Sequence, residues 1–295
     1  MSDLTLAPAL PRAAMLRGVL VACLTYLLFS TADAIVKVVS ERLATIQIVA
    51  LMSAFAVLPA LWVVAREGGL ASIRPKRPGL VALRGLLAIG VGQCVFYAFA
   101  VLPMADVYAI VFTSPLIVTA LSVVLLRERV RWVVWGAVAV GFAGVLVMVR
   151  PGSEGLQIGH LAAFTAAVCS SLVVLLLRRL GGSETKGTLL AAVLAGMLLG
   201  ALPALPAVWI APSPGELALL AAAGIMMGCG QIGLIEALRR LPAATATTFQ
   251  YSQILWGLLY GMVLFGDRPD PFTLLGGVLV IGSGLVVARQ RPPAP

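Results

Sequence analysis

The sequence predicts an all-α integral membrane protein: ten transmembrane helices arranged as two inverted-topology five-helix repeats. Three observations carry this prediction. Of 295 residues, 61% are hydrophobic and only 11% are charged, against roughly 25% charged in an average soluble domain. The chain divides into ten apolar runs, each close to the ~20 residues needed to cross a bilayer. The second half then repeats residues of the first. With a mean hydropathy of +1.05, so few charges would leave a soluble body of this size with a sticky surface. That excludes an ordinary soluble enzyme and a disordered chain. The net charge of +9 does not indicate a nucleic-acid partner, because the basic residues are spread between the apolar runs rather than gathered in one patch.

The runs follow in order. Segment 16–37 is too long for a signal-peptide core and lacks a convincing cleavage site, so it is expected to be retained. Segment 44–65 comes next. The longest connection, 66–79, leaves no room for a soluble domain before segment 80–101. Segment 104–126 carries Pro115 at mid-depth, where proline removes a hydrogen bond and kinks a helix. Segments 130–149 and 159–178 follow, then 188–210, which is rich in Ala, Leu and Gly and reads as packing. Segments 216–238, 243–264 and 271–289 complete the set. They are continuous apolar runs rather than short alternating stretches, so they read as helices and not barrel strands.

Basic residues set orientation. With the N-terminus placed in the cytoplasm, 17 of the 21 Lys and Arg fall on the cytoplasmic side, Arg84 among them; Lys37, Arg42, Arg150 and Arg268 do not. The positive-inside rule then puts both termini in the cytoplasm of a bacterial-type inner membrane.

The repeat is read by laying 98–130 over 237–269. Ala98 meets Ala237, Pro103 meets Pro242, Ala105 meets Ala244, and the acids Glu128 and Asp267 coincide. One residue out of that register, Gly90-Val-Gly92-Gln93 meets Gly228-Cys-Gly230-Gln231. The expected units are 1–150 and 151–295. Five helices is an odd number, so the second unit enters the membrane upside down, as in many secondary transporters.

Polar groups at membrane depth are costly and mark cavities or pathways. Tyr26, Ser30, Gln93, Tyr97, Ser114, Ser171, Gln231, Gln250, Gln253 and Trp256 are read as one polar and aromatic ring near mid-membrane that contacts substrate. Hydroxyls and amides suit a zwitterion, and Tyr and Trp faces suit an apolar side chain. Ser and Gln also bind helices to each other, which is the competing reading. Pro115 is read as a bending point, with Ile254 at its place in the second half. Asp33 and Lys37 lie four apart near the outer end of the first helix, either as an i,i+4 pair or as a coupling or gating group. Glu236 and Arg239 are expected to pair. His160 reads as interfacial and satisfied. Cys23, Cys94, Cys169 and Cys229 form no CxxC and read as small buried residues. No metal or other cofactor is expected, and one histidine without a carboxylate cluster argues against an enzyme.

The segment 97–151, YAFAVLPMADVYAIVFTSPLIVTALSVVLLRERVRWVVWGAVAVGFAGVLVMVRP, resembles the end of helix 3 through helix 5 of the drug/metabolite transporter superfamily, EamA type. Residues 237–289 repeat it, and LLFSTADAIVKVV (27–39) resembles that family's first helix. Relatives often carry Arg-Ser in helix 2, where this chain has Met52-Ser53. The resemblance implies a ten-helix exporter with a cavity lined by helices 1–4 and 6–9. It implies a small-molecule substrate such as an amino acid, alternating access, and a monomer in the lipid bilayer. The alternative is a proton-coupled exporter of drugs, nucleosides or sugars.

Overall fold

A computed structural model describes residues 12–102, 104–125, 130–149, 157–180, 182–241, 243–264, 266 and 271–289. The helices are α1 (Arg12–Val39), α2 (Thr45–Arg66), α3 (Pro78–Val101), α4 in two arms, α4a (Met104–Val111) and α4b (Ser114–Leu125), and α5 (Trp132–Val149). The second half has α6 (Ile158–Leu180), α7 (Lys186–Ala201), α8 (Pro214–Arg240), α9 in two arms, α9a (Ala243–Thr248) and α9b (Ser252–Leu264), and α10 (Pro271–Arg289). No strand occurs among the described residues.

Helices α1, α2, α3, α6 and α8 are each long and apolar enough to cross a membrane. The outside of the bundle is apolar too. Leu86, Val124, Val263 and Val278 are among many exposed large side chains, a belt that only lipid can solvate. Start signals are local. Ser213 and Glu216 form a reciprocal capping box at the start of α8, and Thr185 caps α7 through the Thr188 amide.

Three expected helices differ in detail. Segment 104–126 breaks at Phe112–Thr113, where the Thr113 amide and hydroxyl both bond back to Ile110 O. Segment 243–264 breaks through a 3₁₀ turn at Phe249–Tyr251, although no proline is there. Helix α7 stops at Ala201, short of the expected 210, and one further turn follows at Leu205–Val208. The prolines at 203 and 206 cannot continue an α-helix.

Packing follows a two-fold rule. The principal neighbours are α1 with α8 and α3 with α6; α2 with α8 and α3 with α7; α1 with α9 and α4 with α6. Adding five to each helix number of the first half, and subtracting five in the second, converts each pair into its companion. The pairs α2–α7, α4–α9 and α5–α10 map onto themselves. That is the contact pattern of two inverted five-helix repeats about an axis in the membrane plane. Close crossings depend on glycine. A Cβ on Gly196 of α7 would strike the Gly85 carbonyl of α3, and one on Gly224 of α8 would strike the Met52 carbonyl of α2. Small residues that let backbones touch are how helices associate where lipid removes the hydrophobic drive. Helices α5 and α10 pack on each other at the side of the bundle, Gly141 against Ser283.

Candidate functional site

Helices α2, α3, α7 and α8, two companion pairs, line a cavity of about 30 Å³, large enough to hold water. Its wall is mostly apolar, with Met52, Phe96, Met197 and Met227; the polar groups are Ser53 and Gln231. This is a narrower lining than helices 1–4 and 6–9. Ser53 Oγ is buried and has no hydrogen-bond partner.

Behind this wall, bonded to its Gln231, lies Arg84, near the end of the bundle where Arg74, Lys76, Arg77, Arg179 and Arg240 sit at helix ends and in loops. The sequence reading counted it with the loop cations that set topology; the structure corrects this. Arg84 is 0% exposed. Its Nε donates to Leu189 O on α7 at 2.8 Å and its Nη2 to Gln231 Oε1 on α8 at 3.4 Å. Nη1 is buried without a partner. The signal was present: Arg84 lies inside the marked run 80–101, not at its edge.

The ten expected ring residues do not form one ring in this conformation. Gln231 reaches the central cavity. Gln93 and Tyr97 instead line an open cleft of about 430 Å³ with Thr45 of α2 and Ala162 of α6. Gln93 Nε2 is buried and unpartnered there, and Tyr97 is 41% exposed. Ser114 and Ser171 are fully buried and bond to each other at 3.0 Å, joining α4b to α6. Tyr26 and Ser30 are buried on α1, which packs on α8 and α9; Tyr26 meets Phe29 edge to face at 6.2 Å. Gln250 and Gln253 are buried at the α9 turn, with Trp256 half-buried. Ser30 Oγ on α1 and Tyr251 OH and Ser252 Oγ on α9 are buried without partners.

Asp33 accepts a hydrogen bond from Tyr108 OH at 3.3 Å, which ties α1 to α4a. Tyr108 stacks on Phe112 at 5.3 Å and meets Phe99 edge to face at 5.3 Å. Lys37 lies one turn beyond Asp33 and is half-buried. Pro115 is buried at the first turn of α4b, and its carbonyl accepts from Thr119 Oγ1 at 2.7 Å. Glu236 does not pair with Arg239: it binds Lys186 Nζ at 2.6 Å and Arg240, while Arg239 Nη2 donates to Glu184 O at 2.9 Å. His160 Nδ1 accepts from the Gln157 amide at 3.0 Å. The cysteines are free, and Cys229 is exposed on the bundle surface rather than buried. Glu128 and Asp267 lie outside the described residues.

The two ends of the bundle are tied by companion contacts. At one end, the α1–α2 loop holds the start of α8. Arg42 Nε and Nη2 fork onto Glu216 at 2.7 and 2.8 Å, and Nη2 also donates to Ala211 O at 2.8 Å. The bond to Glu216 raises the Arg42 pKa further above its ordinary range. Nearby, Gln47 of α2 exchanges two hydrogen bonds with the backbone of Ile210 at 2.5 and 3.0 Å. At the arginine-rich end, the α6–α7 loop holds the start of α3. Glu184 accepts from the Lys76 and Arg77 amides at 3.1 and 2.7 Å. There Thr188 of α7 donates to Ser72 O at 2.9 Å, as Gln47 reaches Ile210 at the other end.

Ten helices in two inverted units, closed at both ends around a small, mostly apolar cavity, define an integral membrane protein with the architecture of a carrier. The chain belongs to the EamA-like transporter family, whose model matches residues 16–150 and 157–289. It is similar to the pseudopaline exporter of Pseudomonas aeruginosa, 28% identical over 93% of this chain and 96% of that one. It is also similar to the riboflavin transporter of Rhizobium johnstonii, 30% identical over 77% of each chain. The S-adenosylmethionine uptake transporter of Rickettsia prowazekii is 26% identical over 73% of this chain and 74% of its own. A solved protein structure superposes with a TM-score of 0.77 at 22% identity, over 92% of this chain and 96% of that one, which bears on the fold alone.

Proposed function

We propose that this transporter exports amino acids or related small metabolites across a bacterial inner membrane, by alternating access of the units 1–150 and 151–295. The observation that carries the reading is the central cavity between two companion latches. Arg42 and Gln47 close one end, and Glu184 and Thr188 close the other. In an inverted repeat the two closed ends are alternative versions of one contact. Releasing one while keeping the other opens the cavity to a single side. The arginine-rich end is assigned to the cytoplasm, with both chain termini there, because Arg74, Lys76, Arg77, Arg179 and Arg240 gather at it. Both inverted units lie in one chain, so a monomer suffices.

Substrate contact is assigned to Gln231 together with Ser53, on the cavity wall. Gln93 and Tyr97 supply a peripheral step in the cleft between α2, α3 and α6. Tyr26, Ser30, Gln250, Gln253 and Trp256 meet substrate once α1 and α9 part. The similar transporters carry pseudopaline, S-adenosylmethionine and riboflavin, which supports a small metabolite as substrate.

A second reading, proton-coupled export of drugs, nucleosides or sugars, is favoured by the Asp33–Tyr108 hydrogen bond. One experiment separates the two. The protein is reconstituted into liposomes, and a panel of neutral, aromatic, basic and acidic labelled amino acids is followed with and without a pH gradient. Amino acids moving down their own gradient, indifferent to pH, support the first reading. Movement only with a proton gradient, abolished in Asp33→Asn, supports coupling. No movement of any amino acid overturns the first reading.

A further inference from the structure

We propose that Arg84 is the anchor for a carboxylate of the transported molecule, seated at the arginine-rich end of the central cavity. This inference rests on the transporter reading and adds the chemical class of the group bound.

The guanidinium is wholly buried, on a helix long and apolar enough to cross a membrane. A cation there is costly unless an opposite charge or a full set of hydrogen bonds compensates it. Neither is present among the described residues. Among the described residues no carboxylate pairs with Arg84. The nearby acids are engaged elsewhere: Glu184 with the Lys76 and Arg77 amides, Glu67 with the Gly187 amide, Glu236 with Lys186 and Arg240. Nε and Nη2 are used, and Nη1 is free. An arginine held by two neutral acceptors, with one nitrogen buried and unpartnered, lacks an anion to complete it and is preorganised for one that arrives from outside the protein.

The neighbours agree. Gln231 spends its carbonyl oxygen on Arg84, which leaves its NH₂ as the donor toward the cavity. Ser53 Oγ, across the wall on α2, is also unpaired. Gln231 and Ser53 on the wall, with the Arg84 guanidinium bonded to Gln231, supply donors suited to a monoanion. One cation is too little for a phosphate dianion, which favours the carboxylate. The remaining wall, with Met52, Phe96, Met197 and Met227, suits an apolar body. The thioethers are flexible enough to give way as the cavity widens around it. The arrangement is one-sided. With Gly90 laid over Gly228, Arg84 falls on Ala222 of α8, so only one of the two symmetry-related poles carries charge.

The test uses the full chain purified in detergent. Tm is measured with phenylacetate and L-phenylalanine, and with the matched neutral phenylacetamide and the carboxylate-free L-phenylalaninamide. The carboxylates are expected to raise Tm by several degrees and the amides are not. Arg84→Gln should abolish that shift and Arg84→Lys should retain part of it. Where Arg84→Gln does not fold, Gln231→Leu serves: it should weaken the carboxylates several-fold and leave the amides unaffected. In liposomes, KM for a transported carboxylate should rise about tenfold or more in Arg84→Gln, the loss of a charge-assisted pair. Equal shifts from acids and amides, no shift from any of them, or a wild-type shift retained in Arg84→Gln overturns the proposal. Arg84-dependent carboxylate binding without amino-acid transport would sink the amino-acid reading and leave this one standing. Transport of phenylalanine with an unchanged KM in Arg84→Gln would do the reverse.

Discussion

Phe112 and Tyr251 occupy the same position in the two halves of the chain, and their rings meet edge to face with centroids 5.9 Å apart. Equivalent residues touch each other only on a symmetry axis, so this contact locates the axis between α4 and α9. It also falls where both helices break, at Phe112–Thr113 and Phe249–Tyr251. Aromatic pairs of this geometry contribute about 0.5–1.5 kcal/mol beyond their buried area. A double-mutant cycle of Phe112→Leu and Tyr251→Leu, read by unfolding in detergent, should return a coupling in that range. Strict additivity of the two losses would remove the contact from the account.

The crossing of α3 and α7 depends on the absence of a side chain at Gly196. A Cβ there would strike backbone, the Gly85 carbonyl, which no rotamer change relieves. Gly196→Ala should therefore cost about 1–3 kcal/mol, the usual range for overpacking, and lower Tm in detergent. Gly79→Ala is the control, because nothing lies within 4 Å of a Cβ at that position. A Tm for Gly196→Ala equal to that of the control would mean the helices are free to separate.

Much of the fold was legible because bilayer thickness dictates it. A run of about 20 apolar residues has one use, and the ten runs coincide with the ten helices to within a few residues except where α4, α7 and α9 are interrupted. The break in α4 could be read from Pro115. The break in α9 could not, because Ile254 stands in place of the proline; its turn falls where Tyr251 meets Phe112 of α4. The site was less legible. The two copies of the Gly-x-Gly-Gln motif diverge: Gln231 lines the central cavity, whereas Gln93 lines the open cleft beside α6. Arg84 was legible from its place inside the run 80–101 but was counted with the topology signals; packing adds its contacts with α7 and α8.

The turn in α9 also bears on Pro115. A helix without proline breaks at the same level, so a break here does not require proline. Thr113 closes the α4 turn through its own hydroxyl bond to Ile110 O at 2.7 Å. Pro115→Ala should therefore keep the turn and change the transport rate by no more than about threefold, which is under 1 kcal/mol in barrier. Loss of transport with normal expression and Tm would show that Pro115 itself is a moving part.

The Arg42–Glu216 pair separates a gate from a structural brace. Arg42 is half exposed, and exposed ion pairs contribute only about 0–1 kcal/mol to stability. Arg42→Gln should thus leave Tm within a few degrees of wild type. Its effect should fall on access instead. With Ser53→Cys as a reporter on the cavity wall, a membrane-impermeant maleimide added at the Arg42 side should label several-fold faster in Arg42→Gln than in its parent. The same reagent at the arginine-rich side should label more slowly, since opening one end of an alternating carrier closes the other. Glu184→Gln should invert the two rates, because its carboxylate holds the companion latch through the Lys76 and Arg77 amides. Faster labelling from both sides in either variant would describe a loosened bundle rather than two alternative gates, and would count against alternating access.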